Sequence, residues 1–65
     1  MNFCELYIKG IIKPIEDKIK ELGYKIHYSK RLNDILLRKL YKEELEKYNN
    51  LLQQKYVKLA ELITY

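Results

Sequence analysis

The sequence predicts a mainly α protein. Two short N-terminal helices precede a long C-terminal amphipathic helix, which pairs in a helical-bundle or coiled-coil dimer. Three observations predict it. The 65 residues make one small domain, 1–65, with a basic N-terminal part (1–28) and a long helix (29–65). From Leu32 onward there is neither Gly nor Pro. Across that stretch apolar residues recur with a helical period.

The elements follow in order. Asn2 followed by Glu5 has the spacing of an N-cap and its reciprocal partner, so a helix is predicted directly after Asn2. Phe3, Leu6 and Tyr7 share one of its faces. Gly10 weakens this helix. Pro14 then removes a backbone donor and crowds the carbonyl of Gly10, so the helix is predicted to end near residues 9–12. A second helix is predicted from Pro14, a residue suited to the first helical position. Glu16 and Asp17 fall in its first turn, where the helix dipole favours acids. Ile15, Ile19 and Leu22 form its apolar face, and Gly23 is its expected stop. Residues 24–28 alternate apolar and polar, and could form a strand paired with residues 6–9 around the Pro14 helix. Two strands make a poor sheet. The favoured reading is a loop over 23–29, leading to a helix capped by Ser29 or Asn33.

The long helix reads in elevens. Apolar residues stand at positions one, four, five and nine of the blocks that begin at Leu37, Tyr48 and Leu59. They are Leu37, Leu40, Tyr41 and Leu45, then Tyr48, Leu51, Leu52 and Tyr56, then Leu59, Leu62 and Ile63. Eleven residues in three turns give a slight right-handed supercoil. Residues 33–64 as one helix would span ~48 Å. A compact domain of this size is only ~28 Å across. The first 28 residues would then leave much of the helix bare. A break at Asn49-Asn50, two poor helix formers, is the alternative. The repeat passes through both without a slip, so continuity is predicted, with those eleven side chains as the oligomer interface.

Composition agrees. Apolar residues are 48% and charged residues 34%, which describes a folded chain. A chain this short buries only about 60% of its surface and usually needs a staple. Cys4 alone makes no internal disulfide, and with His27 it falls short of the four ligands of a zinc site. Self-association is therefore expected. The lack of a disulfide framework fits a reducing, cytoplasmic setting. No run reaches the ~18–20 apolar residues of a membrane span, and residues 1–5 lack a signal-peptide pattern, so no membrane partner is expected. The Ile, Lys, Leu, Tyr and Asn bias suggests an AT-rich genome of a phage, virus or mobile element.

No enzyme chemistry is legible. His27 has no orienting partner in sequence, Cys4 has no histidine fixed beside it, and Ser29 lacks a nucleophile-elbow context. Gly10 and Gly23 stand alone, so there is no phosphate-cradling loop. Glu43, Glu44 and Glu46 splay apart on a helix and pair with Lys39, Lys42 and Lys47. No catalytic residue, metal or cofactor is expected.

Charge is the remaining signal. The chain carries +4, of which residues 9–42 contribute +6 and residues 1–8 and 43–65 contribute −1 each. Lys25, Lys30, Arg31, Arg38, Lys39 and Lys42 are the expected phosphate contacts, with Arg31, Arg38 and Lys42 near one helical face. Tyr24 and Tyr28, set among these cations, suit stacking on exposed bases. The expected function is a small, non-enzymatic, homo-oligomeric, regulatory nucleic-acid-binding protein of a mobile element. The alternative is an inhibitor or adaptor that docks a host protein through its long helix or Tyr-rich loop. The segment Glu43-Glu44-Leu45-Glu46, after Ile15-Glu16-x-x-Ile19, resembles the helical-hairpin aspartyl-phosphate phosphatases of sporulation control. Their Ser-Gln-Glu-Leu-Asp signature is not present: Lys42 and Glu43 replace Ser and Gln, and Glu46 replaces Asp. No family is assigned on that basis.

Overall fold

The computed structural model describes residues 2–64. Helix α1 (Phe3–Tyr7), a π-helical segment (Ile8–Ile12) and α2 (Lys13–Arg31) run on without a break as one rod. A three-residue turn follows, then α3 (Ile35–Thr64). The two rods pack antiparallel as a hairpin of 49 × 19 × 10 Å. Among the described residues there is no strand, so the strand pairing of 6–9 with 24–28 is not formed.

The start of the chain behaves as its residues dictate. The Asn2 side chain accepts a hydrogen bond from the Glu5 N–H at 2.8 Å, capping α1. Pro14 does not end this helix, contrary to expectation. The turn before it widens instead, and the Lys13 N–H donates to the Ile8 carbonyl five residues back. A π segment is a one-residue insertion. It joins two apolar registers that a regular helix would leave out of phase. Half-buried Cys4 and buried Tyr7 face α3 before it; Ile12 and Ile15 face α3 after it.

Gly23 does not stop α2 either. Its φ is not positive, and the helix continues through Tyr24–Ser29 to Arg31. The predicted loop is helical because its apolar residues keep the phase of those before it. Ile15, Leu22 and Ser29 are buried at intervals of seven, with half-buried Ile19 and Ile26 between them. That spacing presents one stripe to a neighbouring helix. Ser29 is fully buried and caps nothing; its hydroxyl donates to the Ile26 carbonyl at 2.8 Å.

The reversal falls at residues 32–34. The Asn33 N–H donates to the Lys30 carbonyl and the Asp34 N–H to the Ser29 carbonyl, each at 3.1 Å. Asn33 sits at φ 60°, the left-handed region. This is a Schellman ending, with Asn in the position where Gly is commonest. Asp34, rather than Ser29 or Asn33, caps the next helix, accepting from the Leu37 N–H at 3.0 Å. The long helix therefore starts at Ile35 and not at 29. It passes through Asn49 and Asn50 without a break.

Its buried stripe overlaps the eleven-residue one without matching it. Tyr41, Leu45, Tyr48, Leu52, Lys55, Leu59 and Leu62 are buried or half-buried, at alternating steps of four and three, and Leu37 and Leu51 of the eleven-residue stripe are half-buried as well. That is a seven-residue repeat, which winds two helices left-handed. Three residues of the eleven-residue stripe, Leu40, Tyr56 and Ile63, are exposed. Lys55 enters the seam in their stead. Tyr7 crosses to it, donating its hydroxyl to the Lys55 carbonyl at 3.1 Å. Tyr7, Ile12 and Leu59 form the buried cluster, with Cys4, Leu52 and Leu62 against it.

The argument that the first part of the chain is too short to cover α3 is overturned. That part is itself a rod of ~43 Å at the helical rise. It lies along α3, so the stripe assigned to an oligomer interface packs largely on the chain's own first half.

Candidate nucleic-acid interface

The turn decides where the cations go. Lys30 and Arg31 end α2, while Arg38, Lys39 and Lys42 lie in the first turns of α3. Arg31, Arg38 and Lys42 do not share one helix, as the sequence reading had it. The reversal at 32–34 puts them on two antiparallel helices, toward the same end of the hairpin. Lys30, Arg31, Lys39 and Lys42 are exposed and Arg38 is half-buried. Among the described residues, none of the five makes an ion pair within 4.0 Å. Asp34 is spent on its helix cap, and Glu43 and Glu46, four residues beyond Lys39 and Lys42 on the same helix, make no ion pair with them within 4.0 Å.

Lys25, Tyr24 and Tyr28 lie earlier on α2, with Lys25 against Tyr41 of α3. Lys25 pairs with Glu21 at 3.1 Å, and Glu21 also pairs with Lys18 at 3.5 Å. The Lys25 ammonium lies 5.7 Å from the centre of the Tyr41 ring. Its hydrogen bond to Glu21 and their opposite charges raise the Lys25 pKa. The same hydrogen bond, with the charge of Lys18, lowers that of Glu21. Lys25 is thus a neutralised cation, less suited to phosphate than its neighbours. Tyr24 and Tyr28 line a shallow apolar groove with Lys25, Leu37 and Tyr41.

On the long helix, Tyr56 donates to Glu16 at 3.3 Å, tying the two rods together. Desolvation, and then the Glu16 charge, raise its pKa. Among the described residues, no three His, Cys, Asp or Glu side chains gather as metal ligands. His27 is exposed and Cys4 half-buried. No helix of the described residues is long and apolar enough to cross a membrane.

No protein family, curated protein or solved structure matches the chain. Function therefore has to be argued from the hairpin itself. Sequence reasoning missed the role of the turn, and one signal could have found it. Asn33-Asp34 places a residue tolerant of the left-handed region just before a strong N-cap.

Proposed function

We propose that the chain is a small, non-enzymatic, homo-oligomeric binding protein. It engages the phosphate backbone of a nucleic acid through the turn end of its hairpin, as a regulator carried by a phage, virus or mobile element. One observation carries the reading: Lys30, Arg31, Arg38, Lys39 and Lys42 lie toward the turn end of the hairpin, and among the described residues none of them makes an ion pair within 4.0 Å. Cations left unpaired gain most from phosphate, because binding them releases condensed counterions. A narrow tip carrying them reaches a groove or a bulged strand more readily than a flat face does.

The test is an anisotropy titration of labelled duplex and single-stranded nucleic acid at several salt concentrations. Affinity is expected to fall steeply with salt. The Lys39→Glu/Lys42→Glu double variant should abolish binding, whereas Lys25→Gln should change it little. An absence of binding at low salt refutes the reading.

A second reading rests on different side chains. Leu32, Ile35, Leu36 and Leu40 are more than half exposed around the same turn. An apolar tip of this kind suits insertion into a groove on a host protein. Pulldown from host cells with wild-type chain and Leu36→Asp distinguishes it: a host protein lost with that substitution supports docking, and one retained argues against it.

A further inference from the structure

The hairpin leaves more surface in water than a chain of its mass should. Its accessible surface is 5392 Å². A compact monomer of 8.0 kDa would expose about 4,450 Å². The excess, about 900 Å², is close to the ~800 Å² that each partner gives to a standard protein interface.

Apolar exposure has a pattern. Thirteen large apolar side chains of the described residues are exposed, and all lie toward one end of the hairpin or the other. Tyr24, Tyr28, Leu32, Ile35, Leu36 and Leu40 flank the turn. The other seven, Phe3 and Leu6 among them, lie toward the end opposite the turn. Among the described residues, none falls within 12–23 or 41–55. Charge is divided along the same axis. Residues 18–48, the turn half, carry nine cations and five acids. The terminal half, 1–17 with 49–65, carries four of each. The entire net charge of +4 therefore sits in the turn half.

We propose that the groove of Tyr24, Lys25, Tyr28, Leu37 and Tyr41 is a dimer site, filled by Phe3 and Leu6 of a second, antiparallel copy. This shares with the proposed function only the premise that copies associate; it adds the face and the direction. A two-fold axis across the middle of the hairpin brings each turn end onto the partner's terminal end. Both apolar ends are then covered at once, by the same contact made twice, as a two-fold interface requires. Charge selects this direction over its opposite. Turn against turn would press two +4 halves together, whereas here each charged half meets a neutral one. The groove has room for an aromatic side chain, at about 330 Å³. Phe3 supplies one, its ring tilted 37° to that of Tyr7 with centroids 6.5 Å apart. Aromatic rings packed together gain beyond the area they bury. The arrangement leaves the five unpaired cations at the two far tips of the assembly.

Sedimentation equilibrium of the full chain, without nucleic acid, tests association. The expected mass is twice 8.0 kDa. A single chain at every concentration overturns the proposal and leaves the nucleic-acid titration standing as a separate question. Tyr28→Asp and Leu6→Asp change exposed positions, so circular dichroism should still report the hairpin. Each is expected to weaken the dimer by about tenfold or more. A dimer indifferent to both overturns the choice of groove. Direction is read by disulfide cross-linking in a Cys4→Ser background, which does not depend on those variants. Phe3→Cys mixed with Tyr24→Cys should cross-link, and Tyr24→Cys alone should not. The reverse result establishes a turn-to-turn dimer and refutes this one.

Discussion

Asn33 is the residue on which the hairpin pivots. Its φ of 60° costs a residue with a Cβ roughly 1–2 kcal/mol, less for Asn than for others. Asn33→Gly should therefore keep or slightly raise the melting temperature, and Asn33→Val should lower stability by about 1–2 kcal/mol. Thermal melts followed at the helical dichroism band check both. Three ionisable side chains set a pH window. Glu21 is held below its usual pKa of 4.5, so its contribution is present above that value and is lost as pH falls through the lowered one. Lys25 is raised above 10.5 and Tyr56 above 10.0, so theirs are present below those values and lost as pH rises through the raised ones. Helicity should be flat from weakly acidic to weakly alkaline solution and decline on both sides. Glu21→Gln should remove most of the Glu21 share of the acid decline, which acid titrations of the two chains would reveal. At this scale the sequence was readable where the code is local. The Asn2 cap follows from spacing alone. The Asp34 cap was passed over because Asn33 beside it has the same preference, and only the left-handed geometry tells the two apart.

The helices were legible as helices and misplaced at their ends, and the loop expected over 23–29 is itself helix. Gly and Pro were weighed by local propensity, which tertiary packing overrode. At Gly23 the apolar phase on either side was the stronger instruction. A Cβ there would meet nothing within 4 Å, so the glycine is neither a stop nor a close approach. Gly23→Ala should stabilise the hairpin by about 0.5–1 kcal/mol, read as a rise in denaturation midpoint with an unchanged slope. At Pro14 a missing N–H was taken as an ending. One widened turn absorbs it and restores the phase between Tyr7 and Ile12. On α3 the eleven-residue and seven-residue patterns share Tyr41, Leu45, Tyr48, Leu52, Leu59 and Leu62. Periodicity among Leu and Tyr alone could not separate them. The deciding residue is Lys55, whose charged type hid its place in the seam, where the stem of a long cationic side chain packs with its head in water.

For the whole molecule, the long C-terminal rod was correctly anticipated and its companion was not. The first half was read as several short pieces, so α3 seemed to need a second chain along its whole length. Once residues 3–31 form a rod, intrachain packing satisfies the seam, and the unmet demand moves to the two ends. The candidate site changed in the same way. The cations were identifiable from composition, but their division between two helices toward one end depends on a turn at 32–34 that splits the presumed stripe. Net charge also lies with the turn half, an asymmetry along the long axis that no linear charge count exposes before the chain is folded back.

The three-residue turn has a kinetic consequence as well. Every contact between the rods joins residues whose separation along the chain grows steadily with distance from Asn33. Closing the nearest of them costs little loop entropy, and each one formed shortens the loop that the next must close. Folding of each chain should start at the bend and travel outward like a zip. The last teeth to engage are Tyr7, Leu59 and Leu62, so the best-buried cluster in the protein is assembled at the finish, not the start.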